Sequence, residues 1–360
     1  MERGADWRID VVGGERLGAA LDFAVATVDA TPFQHPDWLT AWLDRFGGEA
    51  GRRPVMVEVR RPGGGEPVVR LPLSFERFSR VVRVWRPWDG GVCDYNGPIV
   101  ARDFHPSREE AAALWRAIVA VLPASDVVVV DKMPRRLGGR DNPFADLPGV
   151  HASFNWCHAV ALGPDAAATR ARFDGTMLRS LARKRRKLEN KGRLVFDLPT
   201  GAEAEAAISA ALGWRAARFA EANRGRETAA LDGFFADVAA RASIARVGRL
   251  RLDDRLLAAG LGTLTGTSFQ LVVTGFDEAF KNWSPGLLLV EETISAAEAA
   301  GAEVFDFTIG AEFYKRDFGV AAEPLVDLFA ARGLVGRLAV AHRLRRIAAM
   351  RAAEAARVEA

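Results

Sequence analysis

The chain has 360 residues, of which 49% are hydrophobic and 26% charged, and its formal net charge is +3. This composition excludes a disordered chain, and the length favours two hydrophobic cores over one. The longest purely apolar runs, such as Val127–Val130, are far too short to span a bilayer, and the opening MERGADWRID has no secretory-type apolar core, so a cytoplasmic location is expected.

In chain order, Pro36–Phe46 is expected to form an amphipathic helix with Trp38, Leu39, Trp42, Leu43 and Phe46 on one side. Strands are read at Pro54–Arg60, Pro67–Phe75 and Arg80–Trp85, the first two joined by a turn at Pro62–Gly65. The DYNGP turn, Asp94–Pro98, brings the carboxylate of Asp94 and the phenol of Tyr95 together as candidate substrate contacts. Ser107 caps a helix running to Leu122, with Glu109 and Glu110 in its first turn. The Val run at Asp126–Asp131 is typical of a strand buried on both faces. A polar loop at Pro134–Pro148 and a strand beginning within Ser153–Leu162 place a domain boundary near residue 160.

The second half repeats the theme. One long helix is expected over Asp165–Lys191, stopped by Gly192, then a strand at Leu194–Leu198 and helices at Ala202–Asn223 and Leu231–Ser243. Strands at Leu256–Leu264 and Phe269–Thr274 lead to a helix beginning Ser284-Pro285-Gly286, a short strand EVFDF and the segment TIGAEFYKRDFG. Pro324–Phe329 reads as a last strand and Leu334–Val358 as a basic closing helix. The element order predicts an α/β protein of two similar units, residues 1–160 and 161–332, followed by the basic helix 333–360.

Charge is unevenly placed. Arg170–Arg193 holds ten basic residues against Asp174 and Glu189, and Arg332–Ala360 holds seven arginines against Glu354 and Glu359, which leaves the rest of the chain acidic. Two basic elements on an acidic body point to particular anionic contacts. On a helical wheel, Met177, Leu181 and Leu188 form a narrow apolar stripe, with Arg179, Arg183 and Arg186 opposite. Lys184 falls inside the stripe. Either it snorkels out along its stem, or it points, with Arg185, into a cleft to hold a substrate carboxylate or phosphate. The run is almost free of aromatic platforms, so nucleic acid is not the expected partner.

The start of the Ser284 helix is the most informative local feature. Ser is a strong N-cap, Pro suits the first helical position, and Gly lets another group approach the backbone. Free N–H groups at Ser284, Gly286, Leu287 and Leu288, with the positive end of the dipole, would seat a phosphate of an acyl-carrier or nucleotide-like ligand. Nearby, Asp306 lies between Phe305 and Phe307 on a strand and so faces away from both. As a carboxylate it could take a proton from an attacking amine or hydroxyl. The phenol of Tyr314 could protonate a departing thiolate, and Lys315 could stabilise developing negative charge. Structural readings stand beside these: a structural cap or an ion pair with Lys315 or Arg316 for Asp306, and a buried aromatic with its hydroxyl satisfied for Tyr314.

Other chemistries have little support. There is no Ser nucleophile elbow and no GxxxxGK[ST] loop, and Gly260, Gly262 and Gly266 do not fit a dinucleotide fingerprint. His35, His105, His151, His158 and His342 are scattered without ligand spacing, Cys93 and Cys157 read as reduced, and no metal site is expected. On a strand, Cys157 and His158 point to opposite faces, which argues against a Cys/His dyad.

The set Asn282-Trp283-Ser284-Pro285-Gly286-Leu287-Leu288-Leu289, Phe305-Asp306-Phe307, Gly310, Tyr314-Lys315-Arg316 and Phe318-Gly319 resembles a signature of the GNAT superfamily, in the branch of CelD-like and FemAB-like proteins. TPFQHPDWLTAW (Thr31–Trp42) is similar to that branch's opening motif, and LRSLARKRRKLENKG (Leu178–Gly192) to its basic central helix. The resemblance covers roughly residues 30–330. It implies tandem GNAT-like α/β units, each a mixed twisted sheet flanked by helices. It implies an acyl donor, acetyl-CoA or another acyl-CoA, whose diphosphate would meet the Ser284 helix. The implied reaction is direct acyl transfer to an amine or hydroxyl of a small molecule, glycan or cell-envelope precursor. Two alternatives stand beside it. One is aminoacyl transfer from charged tRNA, as in Fem relatives. The other is a non-catalytic scaffold in exopolysaccharide biosynthesis, held at the inner face of the membrane by Arg337, Arg343, Arg345 and Arg346 around Leu338, Leu344, Ile347 and Met350.

Overall fold

A run of four valines cannot lie at a sheet edge without exposing them, and in the computed structural model Val127–Val130 forms the middle of a sheet, with Val128 fully buried. Residues 7–78, 81–218, 229–241, 243–310 and 312–359 are described. The chain divides into two units: Met1–Trp156 with Pro324–Ala360, and Cys157–Glu323.

In unit 1 the strands run Arg8–Gly13, Arg53–Arg61, Gly64–Arg77, Arg83–Pro87, Val127–Met133 and Ala321–Ala331, in that spatial order. The Arg53–Arg61 and Gly64–Arg77 pair is the expected hairpin. Arg83–Pro87 pairs with Val127–Met133 in parallel, and Ala321–Ala331 pairs with it antiparallel. The Pro36–Phe46 helix buries Trp38, Leu39, Trp42 and Phe46, with Trp42 stacked on Trp88 at 5.1 Å. Ser107 and Glu110 close a full capping box on the Arg108–Val121 helix. The expected domain limits are corrected here. The closing strand does not complete the second domain, and the basic helix, Gly333–Glu359, is not a separate element. Both return to unit 1, where Val326–Ala331 pairs with Val127–Met133 and Val340 and Leu344 pack near Val127, Val129 and Phe329. A strand's partner so far off in sequence leaves no local signal.

Unit 2 is a mixed sheet. Ala159–Ala161 pairs antiparallel with Val304–Asp306, which pairs in parallel with Ser268–Phe276. Arg255–Thr265, Ala245–Leu252 and Leu194–Asp197 continue the sheet antiparallel. The helices Gly175–Glu189 and Pro285–Ala299 bury Met177, Leu181, Leu188, Leu288, Leu289 and Ile294 in one core with Phe269 and Phe305. On the other face the Gly201–Arg218 helix crosses Gly275, where an added Cβ would stand 2.1 Å from the Ala211 carbonyl oxygen, so only glycine fits.

Several boundaries differ from expectation. The long basic helix is two helices, Ala166–Arg170 and Gly175–Glu189, each started by an aspartate: Asp165 accepts from Ala168 N–H and Asp174 from Met177 N–H. The second aspartate ends one helix by capping the next. The expected helix Ala202–Asn223 is Gly201–Arg218, and residues 219–223 lie outside the described residues. The helix expected at Leu231–Ser243 is Ala229–Ala239. The strands Arg8–Gly13 and Ala245–Leu252 escaped sequence reading, the second because three of its eight residues are arginines.

Candidate active site

The Ser268–Phe276 strand runs into a turn capped by Asp277, whose carboxylate accepts from Ala279 N–H at 2.9 Å and from Arg255 at 2.8 Å. A 3-10 helix, Glu278–Trp283, follows and ends at Ser284, which stands in the left-handed region at φ 52, ψ 51. The proline after it disfavours the ordinary helical region there. This corrects the expected N-cap: the Ser284 side chain makes no capping bond. Its carbonyl accepts instead from Leu287 and Leu288 N–H, both at 3.1 Å, so neither amide is open as expected. Among the described residues the Gly286 N–H has no partner, and an added Cβ at Gly286 would meet the Phe276 ring at 3.0 Å. The glycine therefore serves Phe276 as well as any ligand.

The Ser284 hydroxyl accepts from Lys184 Nζ at 2.6 Å. The basic helix reaches this point because its stripe is anchored by Met177, Leu181 and Leu188, all buried, which leaves Lys184 half-buried between them and solvent. Lys191 adds a second cation, its Nζ 5.5 Å from the Trp283 ring centroid. Ser284, Gly286 and Lys184 thus come together, although the sequence reading assigned them to different ligands. Arg185 turns away from this group. It pairs with Glu292 at 2.6 Å and Glu291 at 3.4 Å on the Pro285–Ala299 helix, which commits its charge to holding the two helices together. The acids responsible sit more than a hundred residues away in sequence, beyond any local pattern.

The FDF segment is where expectation and structure differ most. Asp306 is buried, and its Oδ1 accepts from Thr308 N–H at 2.8 Å. Thr308 has φ 60, so the carboxylate caps a tight turn at the end of the strand. It does not project as a free base, which corrects that expectation. Lys315 is 3% exposed. Its ammonium donates to the carbonyls of Phe307, Ile309 and Gly310, each at 3.0 Å, and pairs with Glu312 at 2.9 Å. With its three donors directed at those acceptors, Lys315 staples the loop and has none left for a substrate. This too is a correction.

Tyr314 stands differently. Its ring packs against Phe307 and Phe318, and among the described residues its hydroxyl has no hydrogen-bond partner. Burial, with the Glu312 carboxylate, raises the phenol well above its usual range, against the opposing charges of Arg215 and Arg218. It therefore stays protonated at neutral pH. Arg218 also lies over the Phe276 ring, 4.9 Å from its centroid, and Phe276 touches Gly286. The charge of Arg218 thus bears on the phenol while its guanidinium covers the ring beside Gly286. Arg215 and Arg218 escaped sequence reading because they end a helix whose pattern is otherwise alanine-rich.

Cys157 lies near Asp306 on the same sheet. Burial, then the Asp306 and Glu323 carboxylates, push its thiol up to about 12. A thiol that weakly acidic is no nucleophile at neutral pH. Asp94 and Tyr95 belong to unit 1. Tyr95 is buried edge-on against Phe33 at 5.6 Å, so its ring is part of that unit's core, and Asp94 beside it is half-buried.

Residues 175–316 match the family model described as an acetyltransferase (GNAT) domain. No curated protein sequence matches the chain. Among solved structures, FemX is 11% identical with a TM-score of 0.59, covering 88% of this chain and 96% of that one. A conserved protein of unknown function from Bacteroides thetaiotaomicron is 10% identical with a TM-score of 0.54, covering 82% and 90%. These likenesses are of fold. Residues 175–316 are thus identified as a GNAT-type acyltransferase domain.

Proposed function

We propose that unit 2 transfers an acyl group, acetyl in the simplest case, directly from an acyl-CoA thioester to an amine or hydroxyl of a sugar or cell-envelope precursor. The observation carrying this reading is the Lys184 ammonium held on Ser284 at the start of the Pro285–Ala299 helix, beside the open Gly286 N–H. A lysine with two donors left over, one backbone N–H and the helix dipole suit a diphosphate, so the residues fit the donor. In the transfer, the acceptor's nitrogen or oxygen attacks the thioester carbonyl, the carbon–sulfur bond breaks, the leaving thiolate takes the phenolic proton of Tyr314, and the phenolate takes up the proton that the acceptor gives up, so the tyrosine ends as it began. A phenol protonated at neutral pH, with no hydrogen-bond partner among the described residues, supports that role. The Cys157 thiol, held up to about 12, supports transfer without an acyl-enzyme.

The test is calorimetric titration with acetyl-CoA, followed by thiol release across a panel of amino sugars and amines. Saturable binding with acceptor-dependent thiol release is expected. Absence of both removes the reading. Binding of charged tRNA with steep salt dependence, without CoA binding, would favour the aminoacyl alternative instead.

A further inference from the structure

Unit 1 gathers most of the chain's outward-facing apolar side chains at one end. Among the described residues, the exposed large hydrophobics are Phe78, Val81, Val121, Leu198, Phe313, Leu334, Val335, Leu338 and Met350. Two side chains tie six of these nine to one corner. Arg332 donates from its backbone to the Asp126 carbonyl at 2.8 Å, and from its guanidinium to the carbonyls of Leu122 at 3.2 Å and Pro123 at 3.0 Å, next to Val121. Asp126 in turn binds Arg83 through its carboxylate at 2.8 Å, next to the turn that carries Phe78 and Val81. Gly336 packs so closely on the Asp126 carbonyl that the first turn of the Gly333–Glu359 helix starts at this same point, with Leu334, Val335 and Leu338.

The wheel of that helix explains why these residues face out. Gly336, Val340, Leu344 and Ile347 recur at helical spacing and face the sheet, with Val340 and Leu344 packed near Val127, Val129 and Phe329. Leu334 and Leu338 fall on the opposite side, as do Arg345 and Arg346, about two turns beyond Leu338. The expected membrane face is corrected in detail: Ile347 is buried and Leu344 half-buried, so neither can meet lipid, while Leu334 and Leu338, 73% and 62% exposed, can.

Charge selects the occupant. From Gly333 to Ala353 the helix carries five arginines and no acidic residue. Arg77, near Phe78, is exposed as well. Among the described residues no helix is long and apolar enough to cross a membrane. We infer that this corner of unit 1 docks on an anionic lipid surface, with Leu334, Leu338 and Phe78 entering the acyl boundary while Arg337, Arg345 and Arg346 meet the phosphates.

Co-sedimentation of the full chain with phosphatidylcholine vesicles, with and without phosphatidylglycerol, tests this. The chain is expected to pellet with the anionic vesicles, less so as salt rises, and to stay in solution with the neutral ones. Leu334→Asp with Leu338→Asp, and separately Arg345→Glu with Arg346→Glu, should each weaken binding roughly tenfold or more. Both pairs are surface substitutions, and a thermal melt checks that they fold. No binding by the wild-type chain overturns the inference, as does unchanged binding by both variants. So does concentration-dependent dimerisation that the leucine variant abolishes without any vesicle binding, since the patch would then join two copies. Because the readout is lipid binding, it is independent of whether unit 2 uses acyl-CoA.

Discussion

Replacing Lys184 by methionine separates a diphosphate-binding role from a packing role. Methionine keeps most of the apolar stem between Met177, Leu181 and Leu188, so the helix should stay in place and the fold should lose less than about 1 kcal/mol. What is removed is an ammonium held 2.6 Å from the Ser284 hydroxyl at a helix start. A hydrogen bond to a charged group contributes roughly 1.5–3 kcal/mol. Lys184 is only half-buried, and solvent screening argues for the lower end of that range. About 1.4 kcal/mol corresponds to a tenfold change in Kd. Calorimetry should therefore show acyl-CoA binding weakened at least tenfold, while an acyl-pantetheine fragment without the diphosphate binds both proteins alike. Equal CoA affinity in the two proteins would refute the reasoning. Equal losses for CoA and the fragment would also refute it, since a general distortion does not single out the phosphates.

Tyr314→Phe should lower kcat by roughly 100-fold or more with KM little changed, the size expected of a lost proton donor. Because burial raises the phenol, wild-type kcat should not fall through phenol ionisation until pH is above the ordinary value of about 10, which a pH–rate profile reads directly. Cys157→Ala should leave turnover within a few-fold, and mass spectrometry of the wild-type enzyme with acyl-CoA alone should find no acylated cysteine. Lys315→Met should destabilise unit 2 by about 3 kcal/mol in denaturant titration, because three carbonyls and Glu312 lose a buried partner. Burial opposes ionisation of Glu312, but the Lys315 hydrogen bond and charge outweigh it and hold the carboxyl below its usual value. The lysine's contribution should therefore persist above the unfolded carboxyl value of about 4.3 and fade as pH drops through the lower folded one.

What sequence could reveal followed the range of the interaction. The Ser107 cap, the stripe on the basic helix and the Val strand depend on neighbours within a turn or two, and all three are present. The mixed α/β architecture was legible for the same reason. Side-chain commitments were not. Lys315 looked like a free cation because the carbonyls that bind it belong to the backbone, which has no signature in side-chain type. Asp306 looked like a projecting base because strand alternation places it correctly but says nothing of the turn it caps. Ser284 looked like a cap because serine prefers that position, yet its left-handed backbone and its bond to Lys184 depend on a helix a hundred residues earlier.

The residues Val326–Ala331, which pair with Val127–Met133, are synthesised only after all of Cys157–Glu323, and Val127–Met133 must wait for them. On a ribosome the usual order, first domain before second, is then inverted: the later-coded unit can finish while the earlier one still lacks a strand beside its valines. A chain halted before residue 321 would leave those valines open along one edge, an invitation to pair with another stalled chain.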